Sequence, residues 1–305
     1  MENKEILNES KGRLDVVLKD KLGQSRSRVA KDIRDGLVLV DGKAVNSCSF
    51  PLSGGERILL LPRKEEKRKD IRKAEGEDEL DFVYKDHDIA VINKRRGIVV
   101  HPAPGHQDDT LVNYLAREED FDFDLAESED IRPGIVHRID KDTSGLLVVA
   151  LNKESQSVLQ EEIRRHEFER LYLALCQGEV RDHLFRVDAP LTRPNHSQRK
   201  AMVDPIRGKE AITHFATLSS TSKVALLRCK LDTGRTHQIR AHLAYIHHPL
   251  IGDPLYNKTA NPLADKGQAL HAFSLSFLHP RTLQRMAFYA PLDEYMKELL
   301  RFFYR

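Results

Sequence analysis

Leu14, Val17, Leu18 and Leu22 recur at helical spacing and predict a first helix. Val29, Ala30 and Ile33 fall on one face of a second helix that stops at Gly36. Arg28, Lys31 and Arg34 fall on the opposite face, because steps of three keep to one side of a helix with about 3.6 residues per turn. Ser25 or Ser27 offers that helix a cap. Leu37–Val40, the turn pair Asp41-Gly42 and Ala44-Val45 then read as a small hairpin.

The segment 63–79, RKEEKRKDIRKAEGEDE, is nearly devoid of apolar residues. It reads as a solvated linker, which separates a first domain at 12–62 from a second at 80–305. Beyond it, short β-branched runs alternate with turns. Phe82–Tyr84 and Ile89–Asn93 flank an Asp86-His87-Asp88 turn, and Leu146–Leu151, Leu171–Cys176, Ala211–Leu218 and Val224–Leu231 read as further strands. Lys153–Arg165 reads as a helix, and Thr236 is placed to cap another over His237–His247. Strands with interspersed helices predict an α+β fold with a mixed, mainly antiparallel sheet.

With 305 residues, 40% hydrophobic and 31% charged, the chain can bury two cores and is not of disordered composition. It has no run of about 18 apolar residues that would span a membrane, and its first residues are too polar for an export signal. Three cysteines, Cys48, Cys176 and Cys229, without a C-x-x-C pair point to a reduced, cytoplasmic setting without structural zinc. The net charge of +2 says little, but its distribution says more. Residues 11–45 carry nine basic and five acidic side chains, whereas 118–130 hold eight carboxylates. A basic N-terminal third and an acidic loop suit a polyanion bound on one side only.

Neither a G-x-G-x-x-G nor a P-loop is present to cradle a nucleotide, and H-E-x-x-H and G-x-S-x-G are absent too. His137-Arg138-Ile139-Asp140-Lys141 differs from a kinase catalytic loop by an extra residue before Asp140, with no D-F-G to accompany it. The polar signal concentrates in 133–151, PGIVHRIDKDTSGLLVVAL. There a loop lies pinned between two strand-like runs, as catalytic groups commonly are. Helical spacing puts His237, Arg240 and His247 on one face and Ile239, Leu243 and Ile246 on a buried stripe. A metal there would need a further ligand, so structural or RNA-contacting histidines are expected.

HRIDKDTSGLL closely resembles the catalytic signature of the RluA family of RNA pseudouridine synthases, with Ile139 in place of the usual Leu. RLYLAL at 170–175, LDTGRTHQIRAH at 231–242, HPAPGH at 101–106 and HPLIGDPLY at 248–256 match in the family's order. The N-terminal pattern RLD-x-x-L, SRS-x-x-x-x-x-I-x-x-G and V-x-V-D-G-K resembles the S4 RNA-binding domain, of the α-L type. These resemblances imply isomerisation of uridine to pseudouridine with Asp140 as nucleophile, Arg240 meeting it, Tyr172 stacking on the base and Arg138 filling the space of the flipped base. They also imply RNA contacts by Arg13, Ser25, Arg26, Arg28, Lys31 and Arg34. No cofactor or metal is expected, because the reaction gains and loses no atoms. The expected partner is large-subunit ribosomal RNA, in a stem-loop, bound by a monomer. Whether Asp140 attacks C1′ or removes the C2′ proton stays open. The competing readings are a non-catalytic ribosome-assembly factor, an S4-linked methyltransferase and a hydrolase that releases uracil. One departure, Arg95-Arg96 where the family has Pro and a small residue, is expected to alter a rim contact with RNA.

Overall fold

The structure, a computed structural model, describes residues 4–304 except 25, 63–72, 75–78, 104, 119–120, 122–132, 194–199, 260–262 and 264–265. Ser25, nearly all of the charged linker and most of the acidic run at 118–130 therefore lie outside the described residues. The chain divides into two compact units, Met1–Asp70 and Ile71–Arg305. Among the described residues no helix is long and apolar enough to cross a membrane.

The first unit runs β1 (Lys4–Leu7), β2 (Gly12–Arg13), α1 (Leu14–Leu22), α2 (Arg26–Arg34), β3 (Val38–Val40), β4 (Lys43–Ala44), β5 (Pro51–Leu52) and β6 (Arg57–Leu60). The apolar faces of the two helices, through Leu14, Leu18, Val29 and Ile33, pack on Val38 and Ile58 from a four-stranded sheet ordered β1-β6-β3-β4. Asp41 and Gly42 both adopt positive φ, 48° and 77°, as a two-residue hairpin turn requires. Ser27 lies within α2 rather than before it. Lys31 and Arg34 are exposed and Arg28 is half-buried, as the helical pattern predicted. Arg13 and Arg26 both pair with the buried Asp15, at 3.0 and 2.9 Å. Burial of Asp15 opposes its ionisation, but the hydrogen bonds from both arginines outweigh this and hold its carboxyl below the usual range.

The second unit runs β7 (Phe82–Lys85), β8 (Ile89–Lys94), α3 (Leu111–Leu115), β9 (Ser144–Ala150), α4 (Lys153–Arg164), β10 (Glu169–Gln177), β11 (Leu184–Asp188), β12 (Leu191–Thr192), β13 (Met202–Val203), β14 (Ile212–Ser220), β15 (Val224–Leu231), α5 (Gln238–Tyr245), β16 (Leu270–Leu278), β17 (Arg285–Tyr289) and α6 (Glu294–Phe303). Its main sheet is ordered β11-β14-β15-β10-β16-β9-β8-β7, with β17 also on β16. The β16–β9 pairing is parallel and the others are antiparallel. The fold is thus α+β with a mixed, mainly antiparallel sheet. Strands β8 and β9 are buried on both faces, which explains their nearly continuous apolar sequence. Ala90, Ile92, Leu147 and Val149 belong on one side to the same core as Leu111 and Leu115 of α3 and Ile239 and Leu243 of α5. Ile89, Val91, Leu146 and Val148 meet Leu159 of α4 on the other.

Candidate active site

The loop 137–143 precedes β9 and is anchored at nearly every residue. Ile139 is buried in the main core, which fits an apolar residue between two polar ones. Lys94 is buried, and its ammonium donates to the carbonyls of Arg95, Ile98 and Lys141 at 2.8–3.0 Å. Thr143 N–H donates to Asp140 O at 3.1 Å, and Gln268 donates to the Thr143 hydroxyl at 2.9 Å. Gly145 has φ 107°, and a Cβ there would sit 2.2 Å from the Ala272 carbonyl of β16. The glycine of T-S-G-L thus allows the parallel strand to approach.

Arg96 departs from expectation. It is not a rim residue: only 12% of its side chain is exposed, and it pairs with Asp293, the N-cap of α6. It also donates to the carbonyls of Asp142, Gln268 and Leu270 and lies over the Tyr295 ring. A guanidinium can satisfy several acceptors at once, so the position links the Asp140 loop to the C-terminal helix. Arg95 remains exposed.

Asp140 and Arg240 meet although they lie 100 residues apart, with Nη1 to Oδ2 at 2.8 Å. Arg240 uses its other edge on Asp253, Nε to Oδ2 at 2.8 Å and Nη2 to Oδ1 at 2.9 Å. Asp253 is buried and also accepts the backbone N–H groups of Leu255 and Tyr256. A fixed carboxylate thus fixes the arginine, and the arginine aims Asp140; the planar fork suits this better than a lysine. Burial works against ionisation of Asp140, yet the charges of His237 and Arg240, the Arg240 hydrogen bond and Arg138 keep its pKa low. His237 itself is pushed down to about 4 by burial, so at neutral pH it is uncharged and Arg240 carries most of this effect. Burial likewise opposes the charge on Arg240, but Asp253 and Asp140 raise its pKa.

Helix α5 begins one residue later than predicted. His237, in the left-handed conformation at φ 57°, is its N-cap, and Thr236 does not cap it. Gln238 Oε1 instead accepts from Arg235 N–H and the Thr233 hydroxyl. Gln238 through Leu243 are all buried, so the first six residues of the helix are enclosed rather than striped, and only Tyr245 at its end is exposed. It ends at Tyr245, which leaves His247 exposed beyond it and away from the site. His237 Nε2 lies 3.9 Å from Asp140 Oδ1.

Tyr172 is on β10, buried and opposite Ala272 and Cys229; burial raises its phenol pKa. It shares with Asp140, Arg138 and Arg240 the lining of a cavity of about 340 Å³, at the small end of ligand sites. Arg138 is exposed and donates to His101 of HPAPGH at 2.8 Å. Among the described lining residues Asp140 is the only carboxylate, whereas Arg138, Arg170, Arg235 and Arg240 all contribute. The one candidate metal cluster among the described residues, Asp86, Asp88 and His279, lies outside this lining. Tyr84, His279 and Arg281 already saturate its carboxylates.

A family model described as RNA pseudouridylate synthase matches residues 88–245, and an S4 domain model matches 12–58. The chain belongs to the RluA family of RNA pseudouridine synthases. It is 42% identical over 277 residues to an uncharacterized RNA pseudouridine synthase, YlyB, of Bacillus subtilis (strain 168), covering 90% of this chain and 88% of that one. It is 40% identical over 290 residues to ribosomal large subunit pseudouridine synthase D of Yersinia pestis, covering 90% and 86%. The corresponding Escherichia coli (strain K12) protein is 38% identical over 290 residues, covering 90% and 85%. Among solved structures, human RNA pseudouridylate synthase domain containing 1 superposes with a TM-score of 0.57 at 25% identity, over 74% of this chain and 89% of that one. The family assignment makes this chain an RNA-binding enzyme that forms pseudouridine. Asp253 was the residue missed by sequence reasoning; HPLIGDPLY contained it, but only as part of a resemblance.

Proposed function

We propose that the chain converts uridines of large-subunit ribosomal RNA to pseudouridine in the cavity beside Asp140. The observation that carries the site assignment is the pairing of Asp140 with a doubly anchored Arg240 at the edge of that cavity. Such a carboxylate is ionised, oriented and spared internal reorganisation, as a reacting group at the sugar must be. The target base leaves its stack, at a cost of a few kcal/mol, and Tyr172 supplies its stacking surface. Arg138, beside His101, takes the space the base vacates. The N1–C1′ bond breaks, the base turns, and C5–C1′ forms; N1 then carries a proton and C5 loses one. Tyr172, kept as the neutral phenol by burial, is placed to help move that proton. Asp140 serves either by attacking C1′ or by removing the C2′ proton.

The large-subunit substrate is supported by the names and similarity of the Yersinia and Escherichia relatives. It is tested by incubating the protein with unmodified transcripts of large-subunit, small-subunit and transfer RNA, followed by nucleoside analysis. Pseudouridine in the large-subunit transcript is expected; conversion only in the others would overturn the substrate assignment.

A single-turnover pH profile should show no inflection at the ordinary histidine value of 6.5, since burial pushes His237 to about 4 and His137 to about 3. A carboxylate with a depressed folded pKa stays ionised until the pH falls below that value. The rate is therefore expected to hold through mildly acidic pH and to fall only near or below the ordinary carboxylate value of 3.8. An acid limb centred near 6.5 would show that a histidine, not Asp140, gates the step.

In the S4 unit, Arg28, Lys31 and Arg34 present charge along α2, while Asp15 orients Arg13 and Arg26. Neutralising Arg28, Lys31 and Arg34 together is expected to weaken RNA binding. The slope of log affinity against log salt should flatten by about 0.7–0.9 for each phosphate no longer neutralised. An unchanged slope would make the helix merely a soluble face.

A further inference from the structure

Arg170 is a buried cation for which the proposed reaction has no use. It lies two residues before Tyr172 on β10, so its side chain faces the same side of the strand, and it lines the same cavity. Only 7% of it is exposed. Among the described residues no acidic side chain pairs with it, and its Nε has no hydrogen-bond partner. Burial depresses its pKa, but a guanidinium stays charged at neutral pH.

The surroundings keep this charge open rather than neutralised. Its Cζ lies 5.8 Å from the centre of the Phe168 ring, which offers a π face and no counter-ion. His137 packs on the same ring at 5.3 Å. Its Nε2 accepts from Val148 N–H, so Nδ1 carries the proton, and that donor too is buried without a partner. Gly234, another lining residue, stands over the guanidinium: a Cβ there would come within 3.0 Å of Nη1. Gly234 is outside the positive-φ region, so its backbone tolerates other residues, and the glycine serves to leave space.

A permanent charge taken out of water without a partner is costly unless an anion completes it. RNA brings one permanent anion per nucleotide. We propose that Arg170 is the phosphate-binding residue of the cavity, receiving the phosphodiester attached to the flipped uridine, with the His137 Nδ1–H as a second donor on the same wall. This inference rests on the placement of the target uridine beside Asp140 and Tyr172.

The test compares the full-length wild type with Arg170→Met and Arg170→Lys. Arg170→Met should melt at or above the wild-type temperature, because a buried uncompensated charge is gone. It should bind RNA about tenfold more weakly, with a salt slope reduced by about 0.7–0.9. Arg170→Lys should restore the slope. Three results would overturn the assignment: an unchanged slope and affinity; a lower melting temperature with unchanged slope, which marks a structural arginine; or a lost saturating rate with unchanged affinity, which would place Arg170 on the reacting base. The comparison is read on whichever transcript the wild type converts, among large-subunit, small-subunit and transfer RNA. Failure of the large-subunit assignment therefore shows as a change of substrate, and failure of the Arg170 assignment as an unchanged slope on the true one.

Discussion

Asp140→Asn is expected to lower the single-turnover rate by at least about 10⁴-fold, the scale on which loss of a reacting carboxylate is felt. Asparagine keeps the shape and can still accept a hydrogen bond from Arg240, but it has no charge to offer the sugar. The fold should persist with at most a modest loss of stability, because the depressed pKa of Asp140 makes its charge a small net contributor at neutral pH. Arg240 retains both of its bonds to Asp253, and removal of a buried carboxylate also removes its desolvation cost. Thermal melting and RNA affinity close to those of the wild type, with the rate gone, would separate chemistry from folding. A variant that melts early would instead make Asp140 a structural partner of Arg240.

Arg240→Met carries the second large effect, and it differs in kind. Two carboxylates then lose their common cation: Asp253, whose side chain is fully buried, and Asp140. Breaking a buried pair by removing one partner costs roughly 3–5 kcal/mol. The melting temperature should therefore fall clearly, and catalysis should fall at least about 100-fold, since Asp140 loses both its aim and the charge that keeps it ionised. The stability loss should shrink as the pH falls. A carboxylate with a depressed folded pKa contributes stability that is present above its unfolded value and lost on acidification through its folded one, and Asp140 is depressed in this way. If Arg240→Met melted like the wild type at neutral pH, Arg240 could not be the anchor of the site.

Local pattern carried the elements it could reach. The two S4 helices, the Asp41-Gly42 turn and the strands β7, β8, β14 and β15 are all written in spacings of two, three and four residues. The short strands β1, β2, β5 and β6 were not, because each is two to four residues long and is defined by a partner elsewhere. The same limit governed the site. Asp140, Tyr172 and Arg240 were named from family resemblance, since no periodicity says that positions 100 residues apart will touch. Arg96 was misplaced for this reason: as a local departure from a motif it looked like a rim residue, whereas its acidic partner, Asp293, is 197 residues away. Thr236 was a sound cap by residue type, but the N-cap position falls on His237, which takes the left-handed conformation.

Product accounting tests the central claim most directly. Purified protein is mixed with unmodified RNA and nothing else, and uridine, pseudouridine and free uracil are quantified over time for wild type and Asp140→Asn. The account predicts one pseudouridine gained for each uridine lost in the wild type, no free uracil, and no conversion by Asp140→Asn. Release of uracil, or conversion by Asp140→Asn at a rate near that of the wild type, would contradict it.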